Sequence, residues 1–188
     1  AALGEDEIKL VRKKLKWKYQ PFEIPKEIID AWKKIGERGV LLEKKWNSIY
    51  NKKNRKIKDE LTRVVKNELP KNFEKIILEN KKKIFDLKPV VATRQSSASV
   101  LEEMTKILPE LIGGSADLSG SNNTNTKHSL IIKPANFNGN YIHYGVREHA
   151  MAGIMNGMAL HKGVIPYGGT FLVFLDYCKP SLRLSALM

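Results

Sequence analysis

The chain has 188 residues, 33 Lys and Arg against 20 Asp and Glu, a formal net charge of +13, and 42% hydrophobic residues. That supplies a core for one domain, or for one domain with an appendage, and no apolar run approaches the ~18 residues that cross a bilayer, so no membrane partner is expected. The opening AALGEDEIKL is acidic and lacks an apolar stretch, so no signal peptide is expected, and the one cysteine, Cys178, excludes an internal disulfide and fits a reducing, cytoplasmic setting.

The first half of the chain reads as helices joined by short breaks. EDEIKLVRKKLKW places Ile8, Val11 and Leu15 near helical spacing, with acids in the first turn and lysines later, which suits the helix dipole. QPFEIP is extended, fixed by Pro21 and Pro25, and a second helix is expected from Pro25 to a stop at Gly39. A third, lysine-rich helix is expected from about Leu41 to Leu69, closed by Pro70, and NFEKIILENKKKI completes the run. Residues 1–90 hold 25 basic residues against 14 acidic ones, and the excess is lysine interleaved with acids, as in KKNRKIKDE. Solvated helix faces look like that, whereas a phosphate-backbone surface clusters arginines and stacking aromatics, so no nucleic-acid partner is expected. Residues 1–87 therefore read as a basic helical linker without a cluster of catalytic residue types.

From residue 88 to 188 the pattern changes. SSASVLEEMTKIL is an amphipathic helix with Val100, Leu101, Met104, Ile107 and Leu108 on one face. ELIGGSADL is a short apolar run that suggests a buried strand feeding a loop, and residues 119–140, rich in Ser, Asn and Thr, form a long loop of the kind that is usually functional or disordered. YIHYGV then reads as a strand, REHAMAGIMNGMALHKG as a helix, VIPYGGTF as a strand and LVFLDY as the start of another helix. This alternation is the mark of an α/β fold with a parallel sheet, in which ligands sit beyond the carboxyl ends of the strands. Glu148 follows a strand and opens a helix, so it belongs at that edge. The helix behind it places Met151, Ile154, Met155, Met158 and Ala159 on one face, with Gly153 and Gly157 as a small-residue strip, and is expected to be heavily buried. A carboxylate there is partly desolvated and can serve as a proton donor or a strong hydrogen-bond partner; taken alone, it reads more simply as a first-turn acid at a helix N-terminus.

Three motifs, ATRQSSASVLEEM, ELIGGSADLSGSNNT and YGVREHAMAGIMNGMALHKGVIPYGGTF, resemble the pyrimidine-binding domain of transketolases in order and in spacing. Upstream, ALGEDEIKLVRKKLKWKYQPFEIP is similar to the end of that family's diphosphate-binding domain and the linker leaving it. The resemblance implies a thiamine-diphosphate-binding α/β fold, partial in this chain, with residues 1–87 as linker and tail of the diphosphate-binding domain and 88–188 as the N-terminal part of the pyrimidine-binding domain. It implies thiamine-diphosphate-dependent transfer of a two-carbon ketol unit between sugar phosphates in the pentose phosphate pathway, in a homodimer, with Mg2+ or Ca2+ bound to the diphosphate.

Residue by residue, the resemblance assigns Glu148 of the REHAM motif to the ring nitrogen of the aminopyrimidine, where it assists removal of the thiazolium proton. It assigns Phe171, Phe174 and Tyr177 to the enclosure of the same ring; their simpler reading is core packing, although aromatic faces suit a heterocycle. Asp117 and Leu118 match a cofactor and dimer contact; a lone Asp there would otherwise be a loop or capping residue. Arg94 and Ser121 match residues that hold a substrate phosphate, a task suited to an arginine fork and a hydroxyl, although many relatives have proline where this chain has Gly120. The four histidines show no metal-ligand spacing, so no metal site is expected in this chain.

The GDG…N segment that holds metal and diphosphate in the family has no counterpart in the sequence. The chain is thus expected to be part of a longer polypeptide and inactive alone. Three other functions compete with this one. Another enzyme with the same cofactor, such as 1-deoxyxylulose-5-phosphate synthase, is disfavoured by the form of GGSADLSGSN and YGVREHAM. The others are a non-catalytic basic nucleic-acid-binding module and a regulatory subunit without cofactor.

Overall fold

The computed structural model describes residues 2–188. The chain divides into two compact units, residues 1–55 and 56–188. In the first, α1 (Glu5–Lys14) carries Glu5, Asp6 and Glu7 in its first turn and Arg12, Lys13 and Lys14 in its last, the arrangement that complements the helix dipole. The segment that follows is held by the Arg12 guanidinium, which donates to the Tyr19 carbonyl, and by the edge-on meeting of Trp17 and Tyr19 rings at 5.2 Å. The second helix, α2 (Lys26–Asn51), runs through both Gly36 and Gly39. The expected stop at Gly39 is therefore corrected. A helix-interior glycine costs only about 1 kcal/mol, while Ile35, Leu42, Trp46 and Ile49 continue the helical period. The Trp46 and Tyr50 rings stack at 4.9 Å one turn apart. The break falls instead at residues 52–54, so the expected helix from Leu41 to Leu69 is two: the end of α2 and α3 (Arg55–Val65).

In the second unit, α4 (Phe73–Leu87) ends where Lys88 turns left-handed at φ 44° ahead of Pro89. The next helix, α5 (Thr93–Ile107), starts three residues before the expected amphipathic run, because the Gln95 side chain accepts the Ala92 N–H at 2.9 Å and closes the first turn. The chain then alternates: β1 (Leu111–Ser115), the short α6 (Ser119–Asn122), β2 (Tyr141–His143), α7 (Glu148–His161), β3 (Ile165–Gly169), a 3-10 turn (Leu172–Phe174) and α8 (Leu175–Leu187). The three strands form a parallel sheet in the order β2-β1-β3. This is the α/β parallel sheet that the sequence pattern implies.

Register decides where ligands can sit. Ser115, the last residue of β1, lies between His143 of β2 and Gly169 of β3, so all three strands end at one level. The loops that leave them, after residues 115, 143 and 169, gather along a single edge of the sheet. The central strand is buried at Leu111 and at Gly113, Gly114 and Ser115, as expected for the middle of a parallel sheet. At that edge Ala116 and Tyr144, the first residues past β1 and β2, form a buried hydrophobic cluster with Met151, and Ile142 packs against it. The long segment 119–140 is not featureless: Asn140 Oδ1 accepts the Leu130 N–H at 2.8 Å, and the Asn140 and Tyr141 N–H groups both return to the Leu130 carbonyl. No helix among the described residues is long and apolar enough to cross a membrane.

The far end of the sheet is anchored by charge. The Arg63 guanidinium of α3 makes two bonds to the Glu110 carboxylate, at 2.7 and 3.0 Å, two to Glu60 Oε1, at 2.5 and 3.1 Å, and one to the Glu68 carbonyl at 2.6 Å. The side chains of Arg63 and Glu110 are only 12% and 5% exposed. Hydrogen bonds to Glu110, and then to Glu60, hold the arginine even further above its ordinary pKa. The Glu110 carbonyl also accepts the Ile165 N–H at 2.8 Å, so one residue ties α3 to the start of both β1 and β3. Removing one member of such a pair strands a buried charge, at a cost of about 3–5 kcal/mol. Arg63→Met in the full-length protein is expected to lower unfolding stability by that amount, and adding Glu110→Leu to recover most of it. A single-variant loss below about 1 kcal/mol in urea melts, the level of an exposed pair, would contradict the anchoring role.

Candidate active site

The carboxyl edge of the sheet is organised by a small polar knot. The Ser115 side chain is fully buried. Its hydroxyl donates to the Gly169 carbonyl at 3.2 Å and accepts both the Leu118 N–H at 3.0 Å and the Asn122 side-chain amide at 2.9 Å. The Thr124 hydroxyl has one proton, which it donates to Asn122 Oδ1 at 3.0 Å, so Tyr141 donates its own to Thr124 at 2.8 Å. Tyr167 completes the set by donating to the Thr124 carbonyl at 3.2 Å. Burial, then the neighbouring Tyr141, pushes the Tyr167 phenol up to about 12, so it stays a neutral donor. This knot ties the loop after β1 to the end of β3.

Two glycines then let β3 lie flush against its neighbours. A Cβ at Gly168 would stand 2.7 Å from Met155 Sδ, and one at Gly169 would stand 2.4 Å from Thr124 Cγ2. With no side chains in the way, the next residue, Thr170, reaches the start of α7. Its hydroxyl donates to Glu148 Oε1 at 3.1 Å. Glu148 is the first residue of α7 and is 6% exposed, so this hydroxyl and the positive end of the helix offset the loss of water around the carboxyl group. The turn before it is clamped by Arg147, which donates to the Tyr144 carbonyl at 2.8 Å.

Beside Thr170 opens a cleft of about 590 Å³. Arg94 reaches it from the first turn of α5, Ser121 from α6, and Phe171 from the residue after Thr170. The structure thus brings Arg94, Ser121 and Phe171 around one space, with Glu148 linked to it through Thr170. Phe171, Phe174 and Tyr177 form a ladder of near-parallel rings, 5.8 and 6.0 Å apart and tilted by 16° and 23°. Only Phe171 of the three lines the cleft, and the other two continue along the 3-10 turn and α8. Asp117 and Leu118 stand outside the cleft wall. Asp117 is exposed in a left-handed conformation, φ 65°, and Leu118 is half-buried and held by Ser115.

Ser115, Asn122, Thr124 and Thr170 are not singled out by the sequence pattern, although all four lie inside the motifs quoted above. The one local signal was hydroxyl and amide side chains crowding against glycines at strand ends, in LIGGS and YGGTF. The expected burial of α7 is also corrected. Met151 and Ala152 are buried, but Ile154 is 47% exposed, because α7 packs on β3 and α8 and leaves its remaining side open. Of the two glycines expected to allow close packing, Gly153 faces Ser181 of α8 and Gly157 faces open space. His149 sits in that helix–helix contact, with Nδ1 3.2 Å from the Ser181 hydroxyl, in line with a packing role.

A parallel sheet with a polar knot, a buried carboxyl group and an aromatic ladder at its carboxyl edge defines an α/β ligand-binding domain. The chain belongs to the transketolase family: residues 90–188 match the family model for the transketolase pyrimidine binding domain, and residues 1–70 match that for the transketolase thiamine diphosphate binding domain. Among curated relatives, the transketolase of Buchnera aphidicola from Acyrthosiphon pisum is 46% identical over 191 residues, and transketolase 2 of Escherichia coli K12 is 44% identical over 193. Each alignment takes in 100% of this chain and 28% of the relative, so the chain spans somewhat more than a quarter of their length. Among solved structures, a Pichia stipitis transketolase in complex with sedoheptulose-7-phosphate superposes with a TM-score of 0.78 at 36% identity, over 100% of this chain and 29% of that one. A transketolase from Campylobacter jejuni gives 0.71 at 33% identity, over 100% and 28%.

Proposed function

We propose that this chain is the part of a transketolase that receives the aminopyrimidine of thiamine diphosphate, in an enzyme that moves a two-carbon ketol unit from a ketose phosphate to an aldose phosphate. The observation that carries the reading is Glu148: a carboxyl group buried at the start of α7 and held by the hydroxyl of Thr170, the residue that precedes an aromatic ladder. When bound, the cofactor supplies a nucleophilic carbon and an electron sink, and the protein supplies orientation and proton handling. Glu148 is suited to hold or give a proton at a ring nitrogen, and Phe171, Phe174 and Tyr177 are suited to cover a flat heterocycle. Asp117 and Leu118, on the loop fixed by Ser115, belong to the same cofactor contact.

The residues present fit one half of the cofactor. No group of three or more His, Cys, Asp or Glu among the described residues could hold a metal ion. In this reading metal and diphosphate are held by residues outside this chain, residues 1–87 being the linker and tail of the diphosphate-binding domain and 88–188 the first part of the pyrimidine-binding domain. A second copy of the protein completes the site in this reading, and the exposed Ile154 and Leu160 of α7 are surface suited to such a partner. A cytoplasmic setting agrees with the single free, buried Cys178.

Arg94 and Ser121, which both line the cleft, are suited to a sugar phosphate through a guanidinium fork and a hydroxyl. Arg94→Ala in the full-length protein is expected to raise the KM for phosphorylated donors by about tenfold or more, the loss of a hydrogen bond to a charged group. An equal loss with a non-phosphorylated donor such as hydroxypyruvate would remove Arg94 from the phosphate site. Glu148→Gln tests the cofactor reading itself. The amide oxygen can still accept the Thr170 hydroxyl, so stability should change by about 1 kcal/mol or less. Exchange of the thiazolium C2 proton, followed by NMR on reconstituted protein, should fall by roughly 100-fold or more. Unchanged exchange would make Glu148 a structural helix-start acid.

A further inference from the structure

A glutamate carboxyl group turns about three side-chain bonds, and burial at a helix start does not by itself decide which oxygen points where. Here the two oxygens differ. Oε1 accepts the Thr170 hydroxyl at 3.1 Å. Among the described residues no donor meets Oε2, yet Oε2 is not one of the fully buried unpaired atoms, so it keeps contact with solvent within a residue that is otherwise 94% covered. One oxygen is pinned from the protein side and the other is left presented. Resting on the cofactor reading of Glu148, we infer that Thr170 is the positioning residue of this site: its hydroxyl fixes the carboxyl plane of Glu148 through Oε1 so that Oε2 faces the pyrimidine nitrogen.

Thr170 is well placed for that task because its own backbone has little freedom. The preceding carbonyl, that of Gly169, accepts both the Ser115 hydroxyl at 3.2 Å and the Ala116 N–H at 3.0 Å. Gly168, one residue earlier, lies against Met151 and Met155 of the same helix that Glu148 opens. The following residue is Phe171, the first ring of the ladder. A stretch of four residues therefore sets the distance to α7, the direction of the carboxyl group and the plane of a stacking ring together. An ordinary satisfied carboxylate would need the hydroxyl, but would gain nothing from sharing a backbone with the ring.

The test uses the full-length protein with Thr170→Val, which keeps the shape and removes the hydroxyl, and Thr170→Ser, which keeps the hydroxyl. Both are made in the wild-type and in the Glu148→Gln background. Two quantities are read: thiazolium C2 proton exchange by NMR, and the dissociation constant of thiamine diphosphate from titration of the metal-supplemented apoprotein. Loss of a hydrogen bond to a charged group corresponds to about tenfold or more, so Thr170→Val should slow exchange by that factor. Its dissociation constant should stay within about threefold of wild type, Thr170→Ser should exchange within about threefold, and Thr170→Val should cause no further loss once Glu148 is Gln. The inference is overturned if Thr170→Val slows exchange equally in both backgrounds, if affinity falls as far as exchange does, or if Thr170→Ser behaves like Thr170→Val. Wild-type exchange in Glu148→Gln would overturn the underlying reading of Glu148. Slow exchange in Glu148→Gln with normal exchange in Thr170→Val would overturn the role of Thr170 alone.

Discussion

The Ser115 hydroxyl, closed off from solvent at the end of the central strand, joins the loop after β1 to the end of β3, alongside the Ala116 N–H on the Gly169 carbonyl and the Tyr167 hydroxyl on the Thr124 carbonyl. It donates once, to the end of β3, and accepts twice, from the backbone of Leu118 and the side chain of Asn122. Each such bond contributes only about 1 kcal/mol net, but a buried partner left without it loses about 1–3 kcal/mol. A substitution that removed this oxygen would take the partner from two donors at once, while the Gly169 carbonyl would keep the Ala116 N–H. The knot is therefore a strong constraint on geometry even though it is a modest source of stability.

What depends on that constraint is the spacing of the site. A parallel sheet sends its loops out at one edge, and a ligand there meets residues from several strands. Such a place is useful only if the loops keep fixed distances. Ser115 sets the loop bearing Asp117, Leu118 and Ser121 against the end of β3, and the bare backbone at Gly168 and Gly169 sets that end against α7. Thr170 then meets Glu148, and the ladder of Phe171, Phe174 and Tyr177 begins one residue later. At the opposite end of the strands, the Arg63–Glu110 pair anchors the same sheet to α3, so both ends of β1 are held by polar contacts across long stretches of sequence.

Much of this is legible in the sequence. The switch from helical to alternating patterning placed the parallel sheet, and the REHAM and GGTF motifs placed a carboxylate and an aromatic run at its edge. What escaped the sequence was of two kinds. Gly39 resembles a helix stop because glycine often is one, yet the helical period of the residues after it outweighed a penalty of about 1 kcal/mol. The other misses are contacts between distant residues: Ser115 with Gly169, Glu148 with Thr170 and Arg63 with Glu110 lie 54, 22 and 47 positions apart. A serine at the end of an apolar strand looks the same in sequence whether it faces a turn or ties one together. Burial of α7 was overestimated for a related reason, since an apolar pattern shows which residues can be covered and not what covers them.

The most direct test of the account is a crystal structure of the full-length protein with thiamine diphosphate and Mg2+. The account predicts two copies of the protein around each cofactor, with Thr170 still on Glu148 Oε1. A pyrimidine ring nitrogen should lie about 3 Å from Oε2, within ordinary hydrogen-bond range, and the ring should be covered by the aromatic ladder. A pyrimidine bound away from Glu148, or a Glu148 carboxyl group that leaves Thr170 and faces solvent when the cofactor is present, would contradict it.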